Sequence, residues 1–134
     1  MNDEREHPWN AVGVIPTLNV TDVDEAVKFY KMLHFEEEWR FPVSESNGDS
    51  HSTHVGMSQG DISIILALHD GEEDAIQLQE IYIVMENVRA FHESLVENFD
   101  DEIEDLDQAD YGMLDFSISD PWGHLLTFGE ANVE

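Results

Sequence analysis

The strongest constraint on this chain is an order of patterns that occurs twice. Residues 11–20, AVGVIPTLNV, read as a strand. Thr21-Asp22 then opens a helix, with Asp22 and Glu25 at capping-box spacing. Val23, Ala26, Val27, Tyr30 and Leu33 recur at helical spacing and form one apolar face that ends near His34. Phe35–Val43 reads as a strand running to a sheet edge, because Pro42 has no N–H to give to a ladder. Residues 44–51, SESNGDSH, are a polar turn. Thr53–Ser58 and Ile62–Leu68 are two further strands, joined as a hairpin through Gln59-Gly60-Asp61. After a loop at 69–75 the order restarts. Glu80–Met85 is a strand, and Asn87 is placed to cap a helix whose apolar face is Val88, Phe91, His92, Leu95 and Phe99. A short edge strand is expected around Ile103–Leu106, then strands at Gly112–Ile118 and His124–Phe128 around an Asp120-Pro121-Trp122-Gly123 turn.

Strand, helix and three strands thus appear twice. The helix-entry valines, Val23 and Val88, are 65 residues apart in a chain of 134. A repeat of this kind says more about architecture than any single element. Each half is too small to bury both faces of its sheet. The expected fold is α+β. Two βαβββ modules, about 11–70 and 78–130 within a single domain 1–134, would form a curved, half-open barrel-like sheet with helices outside and a cleft inside.

Charge bounds the partners. There are 31 Asp and Glu against 5 Lys and Arg, a formal net charge of −26. Nucleic acid is not an expected partner, since phosphate binding needs cationic side chains. Such self-repulsion strains a compact fold at low salt, and molar salt removes it by shortening the Debye length to about 3 Å. The apolar content of 41% is that of a globular protein, so the acids belong on the surface, in the manner of a halophilic acidic protein. The absence of cysteine excludes disulfides, thiolate metal sites and thiol nucleophiles. No run approaches the roughly 20 apolar residues of a membrane span. The charged N-terminus lacks an apolar signal core, so a cytoplasmic location is expected.

Two stretches carry a family resemblance. IPTLNVTDVDEAVKFYKMLHFE, residues 15–36, resembles the first module of the vicinal oxygen chelate superfamily, which contains glyoxalase I, extradiol dioxygenases and bleomycin resistance proteins. The marks are the strand, Asp22, Ala26, Phe29-Tyr30, and Leu33 before Phe35, with His34 where relatives usually have glycine. DPWGHLLTFGE, residues 120–130, resembles the terminal turn and strand of the same superfamily. The resemblance covers about residues 11–130. It implies paired βαβββ modules and often a homodimer. In many members it also implies a divalent metal held by His or Glu from the first and fourth strands of each half. That metal would hold two neighbouring substrate oxygens and act as a Lewis acid.

Carried over by position, those ligands fall at Ile15, Ile65, Glu80 and Thr127. Of the neighbours reached by a one-residue slip, only Gln79 has a donor, and an amide is a poor ligand for a transition ion. One carboxylate and one hydroxyl fall short of the three protein ligands that a catalytic divalent ion needs. The expectation is therefore no metal, no cofactor and no catalytic residue. The chain is read as a metal-independent, sequestering small-molecule binder of the bleomycin-resistance type. Glu80, Thr127, Ile15, Ile65, Trp39, Trp122 and Asp115 are the expected contacts for a cationic or aromatic ligand. Parity along GMLDFSI sets Met113, Asp115 and Ser117 on one face, with Leu114, Phe116 and Ile118 on the core face. Glu80 has three readings: ligand contact, general base, or a strand start in solvent.

The alternative is a metal-dependent lyase, isomerase or dioxygenase of the same superfamily, with a site built from Glu80 and His54 or His124. A third is a partner-binding protein with a filled cleft. His51 and His54 read as turn or surface residues, because positions three apart on a strand face opposite sides. His7, His34 and His69 read as exposed, His92 as a satisfied histidine, and His124 as a candidate for the pocket rim.

Overall fold

The computed structural model describes residues 7–42, 52–99, 103–109 and 111–131. The polar turn expected at 44–51, with His51, lies outside them. Module 1 consists of β1 (Thr17–Val20), α1 (Val23–Met32), β2 (Glu36–Phe41), β3 (His54–Gln59) and β4 (Ile62–Leu68). After a 3-10 turn at Glu73–Ala75, module 2 repeats the order. It has β5 (Glu80–Val84), α2 (Val88–Asn98), β6 (Asp107–Gln108), β7 (Met113–Ser119) and β8 (Leu125–Ala131). The sheets have strand orders β1-β4-β3-β2 and β5-β8-β7-β6. In each, the first strand runs parallel to the fourth and the hairpin strands are antiparallel. The expected α+β duplication is what the chain forms, as two four-stranded sheets that do not close into a barrel.

Local chemistry explains the elements and also corrects some boundaries. Asp22 caps α1 by accepting the Glu25 N–H at 3.1 Å. The helix ends at Leu33, and His34 takes the left-handed conformation, φ +69°, that usually favours glycine. Its ring is held by the Ser94 hydroxyl at 2.8 Å and the edge of Phe91. Asn87 precedes α2 with φ +60° but gives no side-chain cap. Glu130 on β8 supplies it instead, accepting the Val88 N–H at 3.0 Å. This bond, with one from the Asn87 N–H, holds the Glu130 carboxyl below its usual pKa. Residues 11–16 are not strand, and the short edge strand falls at 107–108 rather than 103–106. Pro42 follows the end of β2, an edge strand as expected.

The core is one cluster built from both modules. Leu18, Val20, Val55, Met57, Ile64 and Leu66 of sheet 1 join Ile83, Phe116, Leu126 and Phe128 of sheet 2, with Val23, Ala26, Tyr30, Val88, Phe91 and Leu95 of the helices. The helices meet through the edge-to-face pair Phe29–Phe99. Phe116 is buried, with Leu114 and Ile118 packed against the core, as strand parity requires.

A buried polar seam ties the modules together. The Tyr30 hydroxyl donates to Asp120 Oδ2 at 2.8 Å, and Asp120 Oδ1 accepts the N–H groups of Trp122 and His124 at 2.9 Å each. Burial, then the neighbouring Asp120 charge, pushes the Tyr30 phenol well above its usual pKa. His124 is fully buried, not at a rim. The Gln79 N–H donates to its Nδ1, so the proton sits on Nε2 and is donated to the Asn19 carbonyl at 2.8 Å. No buried side-chain nitrogen or oxygen among the described residues lacks a partner. Among them, too, no helix is long and apolar enough to cross a membrane.

Candidate functional site

Because both helices cover the core side, each sheet keeps one open face directed away from the shared core. On module 1 that face carries Thr17 and Asn19 of β1, Ile65 and Ala67 of β4, Gly56 of β3, and Trp39 and Phe41 of β2. Strict alternation would put Glu37, Trp39 and Phe41 on one side of β2. A bulge between Glu37 and Trp39 shifts the register, so Glu37 pairs with buried Met57 while Trp39 pairs with Gly56. The indole then lies against Gly56, where any added Cβ would collide with the ring. Trp39 is 46% exposed and Phe41 65%. On the core side of β2, Arg40 pairs with Glu37 at 2.9 Å and Asp24 at 3.2 Å.

The open face of module 2 is polar. Thr127 on β8 stands between Tyr82 on β5 and Ser117 on β7, and its hydroxyl is bonded to that of Ser117 at 2.6 Å. Gly129, two residues on, stands between Val84 and Asp115. A Cβ at Gly129 would collide with the Tyr82 hydroxyl. Its absence lets the phenol cross β8 diagonally and donate to Asp115 Oδ2 at 2.8 Å. Gly112, at φ +84°, turns the chain between β6 and β7. Tyr111, beside it, donates to the same Asp115 oxygen at 2.7 Å. The two rings stand edge to face, 6.3 Å between centroids. The pKa of Tyr82 is raised, first by loss of solvent and then by its bond to Asp115; that of Tyr111 is raised chiefly by its own bond to Asp115.

The expected contacts therefore divide into separate groups. Ile65 and Trp39 share the open face of module 1, and Ile15 lies exposed just before β1. Glu80, Asp115 and Thr127 share that of module 2, with Glu80 at the exposed start of β5. Trp122 sits on neither face. It packs against the core at the junction and donates to the Thr21 hydroxyl at 2.7 Å. It also borders a hollow of about 440 Å³ with Glu72, Glu73, Asp74, Ile76 and Leu78. Tyr82, Tyr111 and Gly129 went unnoticed in the sequence. A glycine inside a strand pattern was the available signal, since it often marks a close approach.

The donor set does not fit the divalent metal of many superfamily members. Two of the four positions are isoleucine, and the hydroxyl at the fourth, Thr127, is bonded to that of Ser117. No group of three His, Cys, Asp or Glu among the described residues is arranged to hold an ion. The histidines among the described residues have partners elsewhere. His7 stacks on Trp9, His54 Nδ1 bonds the Thr53 hydroxyl, and His69 Nε2 and His92 Nε2 bond the carbonyls of Glu72 and Glu104. His92, half-buried, is the satisfied histidine expected.

The family model described as the Glyoxalase/Bleomycin resistance protein/Dioxygenase superfamily matches residues 13–128. The chain belongs to this superfamily. Its solved relatives in fold span the whole chain at low identity. The bleomycin resistance determinant encoded on transposon Tn5 superposes with a TM-score of 0.72 at 16% identity, covering 92% of this chain and 100% of its own. The bleomycin-binding protein of Streptomyces verticillus, complexed with copper(II)-bleomycin, gives 0.69 at 21% identity, covering 90% and 97%. A glyoxalase-related enzyme from Clostridium phytofermentans gives 0.70 at 18%, covering 96% and 99%. No curated protein sequence matches this superfamily member significantly.

Proposed function

We propose that the protein binds and sequesters a small molecule without a metal, and that two copies pair so that the open face of module 1 meets that of module 2 from the other chain. The observation that carries this reading is the open aromatic face of module 1. A bulge and a strand glycine together seat the Trp39 indole on bare backbone with no core to cover it. A flat, exposed ring in that position suits stacking on a planar or cationic ligand. Similarity in fold to bleomycin-binding proteins supports the same reading. In this arrangement Ile15, Ile65 and Trp39 supply the apolar wall, and Glu80, Thr127 and Asp115 the polar one. The surface acids keep the protein soluble in a salt-rich cytoplasm.

Three measurements on purified protein test the proposal. Sedimentation in molar potassium chloride should give a dimer, and metal analysis after purification without chelator should give far less than one divalent ion per chain. Stoichiometric iron, nickel, zinc or manganese would overturn the sequestering reading in favour of a metal-dependent enzyme. A screen of melting temperature against cationic aromatic antibiotics should find stabilising ligands whose effect is lost in Trp39→Ala.

A further inference from the structure

The cluster of Tyr82, Asp115 and Tyr111 has an unusual inventory. Both phenolic hydrogens point at one carboxylate oxygen, Asp115 Oδ2. The adjacent Ser117 and Thr127 hydroxyls are bonded to each other. What remains outward is one negative charge, phenolic lone pairs and two aromatic faces. Such a surface has acceptors and π-electrons but almost no free donors, so it repels anions and attracts cations.

A second observation points the same way. Asp107 on β6 stands directly opposite Asp115 on β7, so two carboxylates share one face at cross-strand distance. Like charges so placed destabilise a strand pair unless something between them carries the opposite sign. The ion pairs among the described residues are those of Arg40 with Asp24 and Glu37, and neither involves Asp107 or Asp115. Beside Asp115 opens a hollow of about 580 Å³, lined also by Glu104, Asp105, Leu106 and Asp107. The rings of Tyr82 and Tyr111, their planes 67° apart, form a corner joined to Asp115 by both hydroxyls, which offers a compact, weakly hydrated cation aromatic faces beside a carboxylate.

We infer that the Tyr82–Asp115–Tyr111 corner is a subsite for an alkylated ammonium group, paired with Asp115 and packed on the tyrosine rings. The inference rests on the proposed ligand-bearing role of these open faces and adds the chemical class that module 2 selects. An organic cation fits better than a metal ion, because Asp115 Oδ2 already accepts two hydroxyl hydrogens and the groups that supply them are aromatic rings.

The test is a calorimetric titration, at the lowest salt at which circular dichroism shows the native fold, with choline and with its neutral isostere, 3,3-dimethylbutan-1-ol, while the tyrosine ring signals are followed by NMR. Choline should bind and shift the rings of Tyr82 and Tyr111. The isostere should bind at least about tenfold more weakly, the factor expected for a lost charge contact. Asp115→Asn should weaken choline by about tenfold, and Tyr111→Leu by about threefold. Tyr82→Phe, which keeps the ring, should retain more binding than Tyr82→Leu, and circular dichroism verifies that each variant folds. Equal binding of the isostere, no choline binding in the millimolar range, or choline binding indifferent to Asp115 would each overturn the inference. Choline binding that depends on Trp39 but not on Asp115 would remove this subsite while leaving sequestration standing. A monomer that binds choline through Asp115 would do the reverse.

Discussion

The two modules share one topology and differ in the groups that surround the strand glycine on each open face. Module 1 shows an indole, a phenyl ring and isoleucine around Gly56. Module 2 shows a carboxylate, two phenols and two hydroxyls around Gly129. In each, a strand glycine makes room for an aromatic side chain reaching over from a flanking strand. The difference teaches that the duplicated scaffold fixes where a ring can lie flat on the sheet, and the residues around it fix what that ring meets. Their core sides, by contrast, are alike and interlocked through the Tyr30–Asp120 and His124–Asn19 bonds.

The largest effect should come from breaking what the modules share. His124→Leu leaves the Gln79 N–H and the Asn19 carbonyl, both at part-buried bonds, without their partner, and should cost about 2–3 kcal/mol in urea unfolding. Tyr30→Phe removes one donor from Asp120 and should cost about 2 kcal/mol by the same measurement. The glycines sharpen the contrast between faces. Gly56→Ala forces the whole indole to shift and should cost about 1–2 kcal/mol, with a marked change in tryptophan fluorescence. Gly129→Ala displaces the Tyr82 hydroxyl end and also crowds the Asp115 Cβ at 3.0 Å, so it should cost about 1–2 kcal/mol while the hydrogen bond to Asp115 is lost.

The helix caps differ in the same instructive way. Asp22→Ala should destabilise the protein by about 1 kcal/mol, since the cap is local to α1. The smallest effect is confined to acid. The Glu130 pKa lies below the usual glutamate value of 4.5, so its capping contribution is complete above that value and fades as pH falls through its lowered folded-state pKa. Glu130→Gln should flatten the acid limb of the stability curve below about pH 4.5, and hydrogen exchange in the first turn of α2 reads the effect directly.

Where a pattern had one physical cause, the sequence was legible. An apolar run after a tight turn located β4 at Ile62–Leu68, and the Asp22 cap located α1. The inward set of β7 followed from parity alone. Illegible features needed information from distant residues. Nothing local to EEEWRF marks the bulge, because it exists only against the partner strand. The cap of α2 comes from Glu130, 42 positions beyond Val88. His124 looked like a rim residue because the carbonyl and N–H that hold it belong to Asn19 and Gln79. The division of the expected contacts between two faces was also hidden, since a repeat does not state how its halves pack.

The bulge in β2 has a consequence for how such a protein changes over generations. Glu38 is the surplus residue, and without it Glu37 would still pair with Met57 and Trp39 with Gly56, so its loss would regularise the ladder and leave the indole outward. Only the loss of Glu37 and Glu38 together would set Trp39 opposite Met57 and turn it toward the core. The β7–β8 ladder has no such break from Met113 to Ser119. A one-residue deletion inside β7 would therefore exchange its two faces, whereas β2 can absorb one at its bulge.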